Sequence, residues 1–296
     1  MTAAVYLAYS QEDLDRAYDQ RAWAANAGEL IAQYASASAD VRSRQAHCAD
    51  IKYGPGTDER LDWFDAGQTG GPIHIHLHGG AWRALSKADV SFAAPAFTEQ
   101  GIAFLAPDFT NLPAVRIPEM IDQLVRAVSF VYKNASSFGG DPDRIFISGH
   151  SSGAHLCAVL LARDWTRDGL PADVLKAGLC IAGIYDLEPV MLSSRRAYVD
   201  LTPGETFSLS PARHPRSIRC PLTIAYGERE SPEFVRQAAS FAEALRASGN
   251  PAQLIALPGK NHFEIALDLG RPGSAIFEAA MAQITGCSRN TRLANH

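Results

Sequence analysis

Cysteine is scarce in this chain. The five cysteines, at positions 48, 157, 180, 220 and 287 of 296 residues, are odd in number, far apart and never spaced C-x-x-C. That spacing argues against a disulfide scaffold and a cysteine zinc cluster, and it suits a reducing compartment, so a cytoplasmic location is expected. Long apolar runs are also missing, and none approaches the roughly 20 residues that a membrane-spanning helix needs. The opening "MTAAVYLAYSQEDLDRAYDQR" has neither a basic n-region nor an apolar h-region, so export by the usual signal is not expected. Charge of one sign is not concentrated anywhere: 27 Lys and Arg against 32 Asp and Glu leave a net charge of -5 without strong blocks. The expected partner is therefore a small-molecule substrate, with no nucleic acid and no membrane. The oligomeric state, a homodimer included, stays open.

What is present is a long alternation of strand-like and helix-like text. Ser10 followed by Asp13 reads as a helix N-cap, with Leu14, Tyr18 and Ala22 on one face, and predicts a preface helix over about 10–26. "DIKYGPGTDERLDWFDAGQTGG" reads as two short strands around Gly-Pro-Gly and Gly-Gly turns, opening a mixed sheet. "PIHIHLHGGAW" alternates strictly, with Ile73, Ile75 and Leu77 on one face and His74, His76 and His78 on the other. The apolar runs at 101–109 and 143–150 suit strands buried on both sides, and Met120, Ile121, Leu124, Val128 and Val131 between them lie at helical spacing. The alternation continues with helices at 152–165, 232–248 and near 273–285, and strands at 177–185, 221–228 and 252–259. This predicts one α/β domain over 1–296, a mostly parallel doubly wound sheet with helices on both faces and a small lid-like insertion at about 186–215.

Function in such sheets collects at the carboxyl ends of the strands. After the strand at 143–148, Gly149-His150-Ser151-Ser152-Gly153 matches G-x-S-x-G, the tight turn that presents a serine Oγ. Only Ser151 has glycine two positions away on both sides, which makes it the candidate nucleophile. Ser152 then opens the helix and offers its backbone N–H to a developing oxyanion. "HGGAW" ends the histidine strand, where Gly80 and Ala81 are the candidate oxyanion donors. His262 in "LPGKNHFE" is the candidate base, placed last as the order serine, acid, histidine requires. For the acid, Glu230 in "YGERESPEF" is favoured by that order, with Asp186 in "GIYDLEP" as its rival. His74, His76 and His78 also suggest zinc, but no carboxylate or cysteine cluster with ligand spacing follows them, so no metal and no cofactor is expected. For an aromatic slot the sequence offers Trp82, Tyr185 and Phe207, together with Phe109 and Tyr198. Arg195 and Arg196 are placed where they could meet a substrate carboxylate or stand as a solvated pair.

HGGAW, GHSSGAH, YGERESPEF and NHFE in this order resemble the arylformamidase (kynurenine formamidase) group of α/β-hydrolases, and "DLDRAYDQRA", "KYGPG" and "GIYDLEP" extend the likeness over roughly Ser10 to Gln283. The resemblance implies an α/β-hydrolase fold with Ser151 as nucleophile, His262 as base and Glu230 as acid, where animal members usually have aspartate. Ser152 stands where relatives often have alanine, and a backbone donor is expected to be indifferent to that change. The implied activity is hydrolysis of an N-formyl arylamine such as N-formyl-L-kynurenine, with release of formate. A carboxylesterase acting on small acyl esters with the same triad is the alternative.

Overall fold

The structure is a computed structural model that describes residues 4–293, with side chains to residue 286; Cys287 falls outside that range of side chains. Ser10 Oγ accepts the Asp13 N–H at 3.2 Å and caps α1 (Gln11–Tyr18), so the predicted cap is present. The preface helix expected over about 10–26 ends at Tyr18. After a 3-10 turn over Gln20–Trp23 the chain re-enters a helix, α2 (Ala27–Arg44). Its text is rich in alanine and serine, and its buried positions include Ala27, Tyr34 and Ser38, so the inward face does not stand out as apolar.

Eight strands form one sheet in the order β1-β2-β4-β3-β5-β6-β7-β8. The hairpin β1 (Cys48–Lys52) and β2 (Arg60–Phe64) is antiparallel, as the Gly-Pro-Gly turn predicts, and β2 also runs antiparallel to β4 (Ala103–Pro107). From there β3 (Gly71–Leu77), β5 (Gly140–His150), β6 (Leu175–Ile181), β7 (Leu222–Gly227) and β8 (Gln253–Leu257) are parallel. Helices α3 (Ala94–Thr98), α4 (Ile117–Asn134) and α5 (Ser152–Leu161) follow β3, β4 and β5. The insertion between β6 and β7 is built of short pieces, α6 (Glu188–Leu192), a turn at Ser194–Ala197 and α7 (Pro203–Ser208). Helices α8 (Pro232–Ala247), α9 (Glu264–Leu267) and α10 (Ala275–Leu293) complete the chain. Among the described residues no helix is long and apolar enough to cross a membrane.

Strand alternation gives the sheet two apolar faces. Ile75, Leu105, Ile147 and Ile224 pack with residues of α4, α5 and α8, while Phe104, Phe146, Leu179 and Ala225 pack with residues of α3 and α10. His74 and His76 point to the second face, and what they meet is not a metal-ligand set. Both lie 2.7 Å from Ser148 Oγ, and their rings stack on Phe104. Burial holds His74 down at about 3 and His76 well below its ordinary value, so both are neutral packing groups. His78 stacks on Phe109 at 4.1 Å between ring centres.

Candidate active site

At the end of β5 the backbone turns so sharply that Ser151 takes φ 56° and ψ -121°, a conformation costly for any residue with a Cβ. Close packing makes the glycines necessary. A Cβ on Gly149 would lie 2.1 Å from the Gly153 carbonyl oxygen, and one on Gly153 would lie 2.3 Å from the Leu77 carbonyl oxygen. The Ser151 N–H donates to the Ile181 carbonyl at 2.8 Å, which ties the strained residue to the neighbouring strand. Ser152 is the first residue of α5, where backbone N–H groups have no partner within the helix.

Three side chains from three strand ends meet here. Ser151 Oγ is 3.0 Å from His262 Nε2, and His262 Nδ1 is 2.8 Å from Glu230 Oε2. The other carboxylate oxygen of Glu230 accepts the Gly227 N–H at 2.7 Å. All three residues are buried, at 5% exposure or less. Removal from water lowers the His262 imidazole, with the Arg195 charge as a second cause, and raises the Glu230 carboxyl, a rise that the Gly227 N–H opposes. A neutral imidazole is the form that can accept a proton from Ser151. Asp186, the rival acid, is engaged elsewhere, with Oδ2 3.0 Å from an Arg213 nitrogen.

The loops that carry Glu230 and His262 are fixed to one another and to the preface. The Arg229 N–H donates to the Lys260 carbonyl at 2.9 Å. Gln20 Nε2 donates to Ser231 Oγ at 2.9 Å, Asn261 Nδ2 donates to Asn26 Oδ1 at 2.9 Å, and the Tyr34 hydroxyl donates to the Phe263 carbonyl. His150 Nε2 lies 2.8 Å from the His262 carbonyl oxygen, which it meets as an N–H donor. Gln20 lies within "DLDRAYDQRA", but Asn26 and Tyr34 belong to no recognisable motif, and nothing in the spacing of the three marks them as supports of the site.

The turn after β3 is left-handed at three successive residues, with φ 100° at Gly80, 56° at Ala81 and 60° at Trp82. Gly80, Ala81, Ser151 and His262 share the wall of a cleft of about 580 Å³. A larger cavity of about 950 Å³ opens beside Arg144, Lys176 and Arg219, and none of the predicted site residues lines it. The cleft wall corrects the expected aromatic slot. Trp82 is fully buried, its N–H taken by Ser152 Oγ at 3.0 Å and its indole N–H by His155 Nδ1 at 3.3 Å. Tyr185 is likewise buried, stacked on Phe241 at 4.4 Å, and Phe207 is half exposed beside His214, so none of the three lines the cleft. The rings that do line it are Tyr18, Tyr34, Tyr198 and Phe263. Of these only Tyr198 was singled out in the sequence; Tyr18 stands there as a face residue of the preface helix.

The sheet and the strand-end elbow define an α/β-hydrolase, and the chain is an arylformamidase-like enzyme of that class. The model of the prolyl oligopeptidase family matches residues 119–278, more than half of the sequence, and the chain belongs to that family. A second family model, BD-FAE, matches residues 64–173. Kynurenine formamidase of Danio rerio is 28% identical over 269 residues, covering 86% of this chain and 90% of that protein. Esterase LipQ of Mycobacterium tuberculosis is 31% identical over 252 residues, covering 76% and 59%. Among solved structures, a thioesterase-assigned protein from Silicibacter sp. TM1040 matches with a TM-score of 0.79 at 26% identity, covering 92% of this chain and 98% of that one. The carboxylesterase EstE1, from a metagenomic library, shares the fold with a TM-score of 0.69 at 17% identity, covering 95% and 97%.

Proposed function

We propose that the protein hydrolyses an N-formyl arylamine, such as N-formyl-L-kynurenine, through an acyl-serine intermediate. The observation that carries this reading is the hydrogen-bonded line Ser151–His262–Glu230 on the wall of a cleft whose rings are tyrosines and a phenylalanine. His262 Nε2 takes the Ser151 hydroxyl proton as Oγ attacks the formyl carbon. The tetrahedral oxyanion is held by the backbone N–H groups of Gly80, Ala81 and Ser152, a contribution on the order of 3 kcal/mol per donor. His262 then gives the proton to the leaving nitrogen, the arylamine departs, and formyl-Ser151 remains. Water, deprotonated by His262, attacks that ester, and formate leaves as the proton returns to Oγ. Glu230 accepts the Nδ1 hydrogen bond throughout, which fixes the tautomer and stabilises the imidazolium at each transfer.

The likeness to kynurenine formamidases over 86% of the chain supports the formamide as substrate. Esterases among the relatives support a second reading, a carboxylesterase for small acyl esters using the same groups. The ratio of kcat/KM for N-formyl-L-kynurenine to that for p-nitrophenyl acetate separates them: a ratio above one supports the formamidase, and a preference of several decades for the ester overturns it. The four described cysteines are free thiols, which supports a cytoplasmic setting.

A further inference from the structure

Arg195 carries a positive charge with no carboxylate at ion-pair distance among the described residues; Asp15 and Asp19 also line the cleft, and Asp19 acts on the guanidinium only from farther away. It sits in the short turn Ser194–Ala197 of the insertion, with its guanidinium over the rings of Tyr18, at 5.3 Å, and Trp82, at 5.9 Å. Nη2 donates to the Tyr18 carbonyl at 2.5 Å. Nη1 is buried and has no hydrogen-bond partner among the described residues. Arg83, just after the left-handed turn, lies over the Tyr198 ring at 4.7 Å on the wall of the same cleft. Three other arginines with much of their side chain covered are paired: Arg126 with Glu59 at 2.7 Å, Arg236 with Glu233 at 2.7 Å and Arg116 with Glu205 at 2.6 Å. Among the described residues no carboxylate stands within ion-pair distance of Arg195 or Arg83.

A guanidinium withdrawn from water without an anion loses solvation that one carbonyl and two aromatic faces recover only in part. Its planar donors match a carboxylate, and one donor is unused. We infer that Arg195, with Arg83 beside it on the cleft wall, is the subsite for a carboxylate on the leaving-group side of the substrate. The preferred substrate is then an amide or ester whose amine or alcohol part is an acid. The placement fits the chemistry, because a formyl group has no side chain to recognise and selectivity must come from the part that leaves. Arg195 also acts on His262, whose imidazolium its charge disfavours. A bound carboxylate offsets that charge, so the anion that confers selectivity also favours the proton transfer.

The inference rests on Ser151 being the nucleophile of this cleft, and its test compares substrates that differ only in the anion. N-formyl-L-kynurenine should exceed its α-carboxamide in kcat/KM by about 10- to 100-fold. Arg195→Gln should bring that ratio to within about threefold of one, Arg195→Lys should recover part of it, and Arg83→Gln, at an exposed side chain, should lower it without risk to folding. A wild-type ratio near one, or a ratio that survives in both glutamine variants, overturns the assignment. Should neither formamide be turned over, the formamidase reading fails by itself. Inhibition of p-nitrophenyl acetate hydrolysis by L-kynurenine against L-kynurenine amide then gives the same ratio for the same variants, and the same outcomes decide it.

Discussion

The Trp82 backbone N–H donates to Ser152 Oγ at 3.0 Å, and this bond ties the left-handed Gly80–Trp82 turn to the first residue of α5. Two elements that carry the proposed oxyanion donors are thereby held to each other by a serine hydroxyl. The side chain at 152 is consequently not idle, contrary to the expectation that only its backbone matters. Ser152→Ala leaves the Trp82 N–H buried and unpaired, at a cost of about 1–2 kcal/mol, and should lower kcat about 5- to 30-fold with little change in KM. Steady-state kinetics check this, and an unchanged kcat contradicts it.

Glu230 and Asp186 compete in the sequence for the role of acid, and their surroundings separate them. Glu230 bonds His262 and the Gly227 N–H, whereas Asp186 bonds Arg213 and the Glu188 N–H. Glu230→Gln should cost about 10³- to 10⁴-fold in kcat through the wrong imidazole tautomer. Asp186→Asn should stay within about threefold of wild type, because it loses one partly exposed ion pair. A reversed order of the two losses would assign the acid to Asp186.

Buried neutral histidines set the response to acid. Burial lowers His74, His150 and His262 to about 3 and His155 to about 4, below the 6.5 they have in the unfolded chain. The unfolded state therefore binds more protons below pH 6.5, and the stability these groups contribute is present above that pH and lost as pH falls toward 3–4. Each histidine contributes a slope of up to about 1.4 kcal/mol per pH unit in that window, and the Glu230 carboxyl, raised by burial so that the native state takes up its proton first, offsets about one of them. The urea midpoint should fall steeply between pH 6.5 and pH 5; a flat midpoint there would refute the burial of neutral imidazoles.

Much of this architecture is legible in the sequence because its signals are local. The cap at Ser10, the hairpin turn and the glycines at 149 and 153 each act within a few residues, so the text around them suffices. Helix α2 is hard to read because Ala, Ser and Asp in "AGELIAQYASASADVRSR" blur its inward stripe, and the bond of Tyr34 to Phe263 is hidden with it. Ring chemistry alone points Trp82 and Tyr185 toward the cleft. Which side of a loop a ring faces depends on contacts distant in sequence, Trp82 with His155 and Tyr185 with Phe241. The unpaired state of Arg195 is equally invisible in the text, since it depends on which acids fold near it.

The central claim is that Ser151, activated by His262, is the nucleophile. Treatment with a fluorophosphonate followed by peptide mass mapping tests it most directly. A single adduct is expected on Ser151, none in Ser151→Ala, and a loss of about 10⁴-fold or more in kcat for that variant. An adduct on Ser152, or a Ser151→Ala enzyme that keeps its turnover, would contradict it.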